Sequence, residues 1–342
     1  MPVFGAVDFN EHEQVSFFYD KKTGLKAIIA IHNTRRGPAL GGCRMWPYKN
    51  EKDALTDVLR LSQGMTYKAA LANLPYGGGK IVVIGDPHHD KAPALFRAVG
   101  RCVEQFHGHY ITAEDVGTSP KDMRYIRETT THVVGLPGGC GDPSPFTAVG
   151  VYESIRAAVA HRLKKESLEG LKIAVQGLGH VGHYLCKLLH EAGAELVVTD
   201  IDDKLVQKAV KAFKATAVAP DDIYKAEVDV FSPCALGAII NDHSIPQFKC
   251  KIIVGSANNQ LENHEHGEIL ARMNILYGPD YVVNAGGLID VSYDGPNYDQ
   301  EVVLKHVRGI YNTVLDVFHR AEKLKISTSE AADRLAEERF KK

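Results

Sequence analysis

The sequence predicts an α/β chain folded as two domains, the second built on a doubly wound parallel sheet. Two observations carry this. A glycine turn, Gly177-Leu178-Gly179-His180-Val181-Gly182, follows the strand-like run Leu171-Lys172-Ile173-Ala174-Val175-Gln176 and opens a helix-like run from His180 to His190. A second apolar run, Leu196-Val197-Val198-Thr199, comes next and ends in Asp200. The turn also lies in mid-chain, so the segment before it is too long for a tail and long enough for its own core. Strand, glycine turn, helix, strand and terminal acid make up the dinucleotide-binding fingerprint of Rossmann-type folds. A substrate domain over residues 1–142 and a Rossmann-type domain over 143–325 are therefore expected, with a C-terminal helix over 326–342 packing back on the first.

Taken in order, Val15-Ser16-Phe17-Phe18-Tyr19 and Leu25 to Ile31 read as strands, joined as a hairpin through Asp20-Lys21-Lys22-Thr23-Gly24. Asn50 caps a helix with Asp53 at its third position, and Leu55, Val58, Leu59 and Leu61 form its apolar stripe. This helix runs on through Met65 to Leu71, with Gly64 as a place for a bend. Gly77-Gly78-Gly79 reads as a break before the strand Lys80-Ile81-Val82-Val83-Ile84. Ala92 to Phe106 is a helix, and Tyr110 to Ala113 a short strand ending in Glu114-Asp115. Pro137-Gly138-Gly139-Cys140-Gly141-Asp142-Pro143 reads as a linker or hinge. Thr147 to Leu163 is the helix before the fingerprint. Val228 to Phe231, Ile252 to Val254 and Tyr281 to Val283 are apolar, as buried parallel strands are. Gln300 to Arg339 reads as helical.

Composition narrows the class. Forty basic and 42 acidic residues leave a formal charge of -2, which argues against a nucleic-acid or anionic-membrane partner. Met1 to Gln14 has no apolar core and does not read as a secretory signal. No apolar run approaches the ~20 residues of a membrane span. The six cysteines, at 43, 102, 140, 186, 234 and 250, form no CxxC, and reduced thiols in a cytoplasmic protein are expected. His264 and His266 flank Glu265, but a solvated loop is expected there, and no metal site.

In the fingerprint, Gly177 permits the tight turn, Gly179 lets a pyrophosphate approach the backbone, and Gly182 lets the helix pack on the strand. Unpaired N–H groups at the helix start meet the phosphate charge. Asp200 accepts from a ribose 2′-hydroxyl and would repel a 2′-phosphate, so NAD is favoured over NADP. Elsewhere, Lys80 follows three glycines, which could turn it back towards Lys68 on the preceding helix. Two desolvated ammonium groups disfavour each other's charge, so one could serve as a base while the other holds a carboxylate. From spacing alone, two surface lysines is the better reading. A phosphate-binding loop at Gly77 to Lys80 is rejected, because Leu74 stands where glycine is needed and Ile81 where Ser or Thr is needed. Asp115, before Val116-Gly117-Thr118, either faces a cleft or caps a turn. Asn284 and Gly255-Ser256-Ala257-Asn258-Asn259 stand at strand ends, where ligands gather in such sheets, or simply cap loops.

Several motifs together are more specific. Gly37-Pro38-Ala39-Leu40-Gly41-Gly42, Gly64-Met65-Thr66-Tyr67-Lys68, Gly77-Gly78-Gly79-Lys80, Thr112-Ala113-Glu114-Asp115-Val116-Gly117, the fingerprint, Gly255 to Gln260 and Asn284-Ala285-Gly286-Gly287 resemble the glutamate/leucine/phenylalanine/valine dehydrogenase family. Order and spacing match over almost the whole chain, and the leucine-specific members stand nearest. The resemblance overturns the surface reading of the lysines. It implies NAD-dependent oxidative deamination of an L-amino acid, with Lys68 holding the α-carboxylate, Lys80 the general base and Asp115 passing protons. It implies a substrate-binding and oligomerisation role for the first domain, and closure of the two domains to exclude water. Cofactor contacts are implied at Gly177, Leu178, Gly179, His180, Val181, Gly182, Asp200, Ile201, Thr147, Cys234, Ala235 and Asn258, and substrate contacts at Gly41 and Asn284.

The resemblance also implies that Leu40, Ala113, Leu288 and Val291 line the side-chain pocket, with Met65 nearby. All are apolar, so glutamate is disfavoured, because its carboxylate would be buried without a partner. Branched aliphatic substrates are expected, since Leu40 keeps the pocket short. An aromatic amino-acid dehydrogenase is the alternative, and a catalytically silent NAD-binding regulator a further one. Three features depart from the leucine-specific pattern: Asp290 replaces the usual Asn, Cys43 the commoner Thr, and the chain stops at Lys342. The last makes a homo-oligomer as small as a dimer as natural an expectation as an octamer.

Overall fold

A computed structural model describes residues 3–136 and 141–341. The chain divides into two units, one of Met1–Gly141, Val291–Tyr298 and Ala336–Lys342, the other of Asp142–Asp290 and Asp299–Leu335. Pro137 to Cys140 of the expected hinge lie outside the described residues.

The first unit holds β1 (Gln14–Asp20), β2 (Leu25–Asn33), β3 (Ala39–Trp46), α1 (Glu51–Leu71), β4 (Gly77–Ile84), α2 (Pro93–Glu104), β5 (Tyr110–Glu114) and α3 (Pro120–Arg127). Its sheet runs β1-β2-β4-β3-β5. β1 pairs antiparallel with β2, with Asp20 opposite Leu25, and β2 antiparallel with β4. β3 lies parallel to both β4 and β5. Alternation along the strands feeds two cores. Ile28, Ala30 and Val82 pack with Ala54, Leu55, Val58 and Leu59 of α1. Ile29, Ile31, Ile81 and Val83 pack with Phe96, Val99 and Val103 of α2. The Asn50 side chain accepts from the Asp53 N–H at 2.9 Å and starts α1. α1 then runs unbroken past Gly64.

One expectation fails in this unit. Gly77-Gly78-Gly79 is no break: all three glycines are buried inside β4. The reason is steric. A Cβ on Gly78 would lie 2.0 Å from the Thr66 backbone nitrogen, so glycine is what lets α1 sit down on the strand. The strand β3 was not read at all, because Gly41-Gly42 interrupts its apolar pattern.

The second unit holds α4 (Ser144–Leu163), β6 (Lys172–Gln176), α5 (His180–Glu191), β7 (Glu195–Thr199), α6 (Asp203–Phe213), β8 (Thr216–Ala217), β9 (Val230–Pro233), β10 (Ile252–Ile253), α7 (His264–Arg272), β11 (Leu276–Tyr277) and α8 (Asp280–Val283). α9 (Gly286–Ser292), α10 (Gln300–Arg308), α11 (Ile310–Leu324) and α12 (Thr328–Phe340) complete the chain. The sheet is wholly parallel in the order β11-β10-β9-β6-β7-β8. The order reverses between β6 and β9, as in the dinucleotide-binding fold, whose ligand crevice lies outside the carboxyl ends of those strands.

Here too the sequence misled in places. Tyr281-Val282-Val283 is helical, and the strand is Leu276–Tyr277. Pro279 starts the turn, and the Asn284 N–H donates to the Asp280 carbonyl at 2.8 Å. The β-branched pair looked like a strand, but Val282 and Val283 are buried on a helix. Asn284 consequently ends a helix, not a strand. His264 to His266 open α7 instead of a loop. The Asn263 side chain and His266 form a reciprocal cap, and His266 Nε2 lies 3.1 Å from Asp242 Oδ1. Among the described residues no helix is long and apolar enough to cross a membrane.

Candidate active site

In the second unit, the turn after β6 meets the reversal of strand order. Gly177 has a φ of 95°, and a Cβ there would come within 2.7 Å of Ala235, in the connection after β9. A Cβ on Gly182 would stand 2.0 Å from the Gly177 carbonyl oxygen. Both glycines are therefore required by close packing. Gly179 differs, because a Cβ there would meet open space. Gly179 is also the N-cap of α5 and gives no side-chain cap, so the helix start is left with donors for an anion.

Asp200 is held at the end of β7. Its Oδ2 accepts from the Leu178 N–H at 2.6 Å and its Oδ1 from the Asp202 N–H at 2.9 Å. Beside it Ile201 is 96% exposed, an apolar face beside the acid that suits the flank of a purine ring. Open glycine, uncapped helix start and anchored acid fit a nicotinamide dinucleotide. His180 and Ala235 are exposed, and Val181 and Cys234 half-buried. Thr147 lies near the start of α4, where its hydroxyl donates to the Pro143 carbonyl at 3.2 Å.

The loop after β10 is braced. Gln260, fully buried, donates from Nε2 to the Gly255 and Ala257 carbonyls at 2.8 and 2.9 Å. Asp280 accepts from the Asn259 N–H at 2.8 Å. Asn284 Nδ2 donates to Asn258 Oδ1 at 2.8 Å and to the Ser256 carbonyl at 3.1 Å. The two asparagines singled out from sequence are thus in contact. Asn284 Oδ1 is buried with no hydrogen-bond partner among the described residues, an uncompensated desolvation.

In the first unit, Lys80 is 5% exposed and points to the α1 side of β4 with Val82. Its Nζ lies 3.0 Å from Asp115 Oδ2. Gly78 shares that side, so its contact with Thr66 brings the Met65-to-Lys68 turn of α1 against the strand two residues from Lys80. Lys68, in the last turn of α1, is half-buried. The expected glycine turn between the lysines is replaced by this helix-on-strand approach.

Sequence reading missed the other half of the cluster. Arg44 Nε donates to the same Asp115 oxygen at 2.9 Å, and Arg44 Nη1 to Asp57 Oδ2 on α1 at 3.0 Å. The Tyr48 hydroxyl donates to Asp57 Oδ2 at 2.5 Å. Cys43 and Met45 belong to the α2-side core, so alternation along β3 sends Arg44 to the other side. That was the available signal, but it needed β3 to be recognised. Burial pushes the Asp115 carboxyl up, but the Lys80 ammonium and the Arg44 guanidinium outweigh it and hold the group below the usual carboxylate range. Burial pushes the Cys43 thiol up to about 12, so Cys43 is an inert core residue.

The expected pocket residues divide between the units. Leu40 (2% exposed) and Gly41 lie on β3, Ala113 on β5 opposite Gly42, and Met65 on α1. A Cβ on Gly41 would stand 3.3 Å from Met65 Cγ. Val291 belongs to the first unit and Leu288 to the second; both are half-buried. Asp290 is fully buried.

Residues 12–132 match the Glu/Leu/Phe/Val dehydrogenase dimerisation domain, and residues 138–208 and 198–295 match the glutamate/leucine/phenylalanine/valine dehydrogenase domain. The chain is 52% identical to a leucine dehydrogenase of Bacillus cereus, over 99% of this chain and 94% of that one. It is 51% identical to a phenylalanine dehydrogenase of Caldalkalibacillus thermarum, over 97% and 92%. The crystal structure of L-tryptophan dehydrogenase from Nostoc punctiforme superposes with a TM-score of 0.88 at 48% identity, covering 97% of this chain and 96% of that one.

Proposed function

The chain belongs to the glutamate/leucine/phenylalanine/valine dehydrogenase family and is an amino-acid dehydrogenase, and we propose that it oxidatively deaminates branched-chain aliphatic L-amino acids with NAD. The observation that carries the chemistry is the buried Lys80 ammonium 3.0 Å from Asp115, beside the α1 turn that bears Lys68.

In this reading the α-amino acid, water and oxidised NAD give the 2-oxo acid, ammonium, reduced NAD and a proton. Lys68 holds the α-carboxylate. Bound NAD supplies the acceptor for the hydride lost from Cα. Once its ammonium proton has passed to Asp115, the neutral Lys80 amine takes a proton from water as that water attacks the substrate imine, and the carbinolamine then expels ammonia. Asp115, whose side chain is 22% exposed against 6% for Lys80, is the outward partner and passes protons between Lys80 and solvent. Asn258 and Asn284 orient the nicotinamide end and the substrate, while the Gly177-to-Gly182 turn, Thr147, Cys234 and Ala235 hold the phosphates and ribose. Asp200, with Ile201 beside it, favours NAD over NADP, because its anchored charge repels a 2′-phosphate. The enzyme works as a homo-oligomer, a dimer or larger.

Apolar Leu40, Met65, Ala113 and Val291 of the first unit supply side-chain contacts that disfavour glutamate. One methylene discriminates by only ~1–3 kcal/mol, so leucine, valine and isoleucine should all turn over. Aromatic substrates are the second reading, supported by the phenylalanine and tryptophan dehydrogenases at similar identity. The test is formation of reduced nicotinamide from NAD with a panel of L-amino acids at alkaline pH. Turnover on leucine, valine and isoleucine with little on glutamate is expected. Faster turnover on phenylalanine or tryptophan would overturn the pocket, and no turnover on any amino acid would overturn the activity.

A further inference from the structure

We propose that Arg44 is a positioning residue for this reaction, acting through Asp115: it pins one carboxylate oxygen and keeps the other open for proton transfer. The inference rests on the reading of Lys80 and Asp115 given above.

Lys80 Nζ and Arg44 Nε both converge on Asp115 Oδ2, at 3.0 and 2.9 Å. Asp115 Oδ1 has no hydrogen bond among the described residues, so the carboxylate is held by one oxygen and presents the other. A lysine pair alone would let the carboxylate swing about its Cβ–Cγ bond. A second donor on the same oxygen, from a different strand, removes that freedom. Arg44 is itself fixed at its far end by Asp57, and Asp57 by the Tyr48 hydroxyl. The planar guanidinium can bridge two carboxylates through Nε and Nη1, which a lysine cannot do.

The charges balance, with two cations, Lys80 and Arg44, and two anions, Asp115 and Asp57. Asp115 is met directly by Lys80 from β4 and Arg44 from β3, with Asp57 and Tyr48 behind Arg44; the other titratable groups that feel its charge are Glu114, next to it in the chain, and Cys43 and Tyr110 in the α2-side core. Of these only Lys80 and Arg44 make ion pairs with Asp115 among the described residues. Arg44 thus joins Lys80 in holding Asp115 below the usual carboxylate range, yet it donates no proton in the reaction.

The experiment is the pH profile of kcat/KM and kcat for the purified enzyme and three variants, Arg44→Met, Arg44→Lys and Asp57→Asn. Arg44→Met should lower kcat at least about tenfold with the KM for the amino acid little changed, since an interaction that shapes the reacting groups is lost. The acid limb should move up by about one pH unit, because the variant lacks a cation that favours the ionised Asp115 carboxylate. Asp57→Asn should move that limb the other way, because Arg44 loses its counter-charge. Arg44→Lys should restore the limb but not the full kcat.

Opposite shifts for the Arg44→Met and Asp57→Asn variants support the proposal, because general structural damage would move both the same way. An unshifted limb and near-normal kcat in folded Arg44→Met overturn it. A rise in KM with kcat intact also overturns it and makes Arg44 a substrate ligand. If Arg44→Met does not fold, the Asp57→Asn limb decides, and an upward or absent shift there refutes the proposal. Unmodified enzyme with no turnover on any amino acid would instead refute the proposed function.

Discussion

Replacing Gly78 by alanine tests whether the glycines of β4 set the distance between the two lysine-bearing elements. The added Cβ would sit 2.0 Å from the Thr66 nitrogen, 2.3 Å from its Oγ1 and 2.5 Å from its Cα. Two of these three atoms are backbone, so no side-chain rotation relieves the clash. Since real Cβ contacts essentially never fall below 3.0 Å, α1 must retreat by about an ångström or β4 must bend. Overpacking of this kind costs about 1–3 kcal/mol. A displacement of that size at reacting groups costs roughly 100-fold in rate. The variant should therefore fold with a lowered thermal midpoint and lose about two orders of magnitude in kcat/KM. Gly64→Ala is the control, because a Cβ at Gly64, on the same helix, meets nothing within 4 Å. It should raise stability by roughly 0.5–1 kcal/mol by favouring the helix and leave kcat/KM unchanged. Both are read from reduced-nicotinamide kinetics and urea unfolding. A folded Gly78→Ala variant with normal kcat/KM would refute the idea that this approach positions Lys68 and Lys80.

Lys80→Gln should lower kcat by roughly 10²–10⁴ while leaving NAD affinity, measured by calorimetry, unchanged; a loss below tenfold would remove Lys80 as the base. Asp200→Ser should weaken NAD binding by about 1–3 kcal/mol and raise the NADP to NAD ratio of kcat/KM, and an unchanged ratio would count against Asp200 as the selector. In the first unit His32, 4% exposed, is lowered from 6.5 to about 4 by burial and by repulsion from His12, so it is neutral in the fold. The unfolded chain therefore takes up protons that the fold refuses, and stability present above about pH 6.5 is lost progressively down to about pH 4, by up to roughly 3 kcal/mol. His12 is also lowered, chiefly by burial, and acts in the same direction. Urea midpoints at about pH 7 and about pH 5 should differ less in His32→Gln than in the unmodified protein, and equal losses would exclude His32 as the acid-sensitive group.

Where local pattern and final packing agree, the fold was legible. The run from β6 through the glycine turn and α5 to β7 carries two short apolar strands, a required positive φ and an open N-cap, so each feature argues for the same unit. The helix after Asn50 likewise announces itself by cap and stripe. Legibility failed where packing overrode pattern. Val282 and Val283 have strand propensity, but Pro279 sets a turn and the two valines bury on α8. Gly77-Gly78-Gly79 has turn composition, but β4 lies between β2 and β3 with helices on both sides, and the space left at Gly78 excludes any side chain. A one-dimensional pattern cannot tell a glycine that permits a turn from one that permits a contact.

The same distinction explains the half of the candidate site that was not read. Arg44 is 71 residues from Asp115 and 13 from Asp57, so no spacing rule links them. They meet because the strand order β4-β3-β5 places β3 between the strand that bears Lys80 and the strand that leads into Asp115. β3 was invisible because of Gly41-Gly42, and Gly42 is there for a reason that the finished sheet makes plain. A Cβ on Gly42 would lie 2.7 Å from the Asp115 Cβ and 2.6 Å from the Glu114 carbonyl oxygen. The glycine that hides the strand is thus the one that makes room for the carboxylate that Arg44 then holds. A side chain at position 42 would push Asp115 outward, away from both Lys80 and Arg44. In this protein the residues that spoil the strand signal are the ones that bring its charges together.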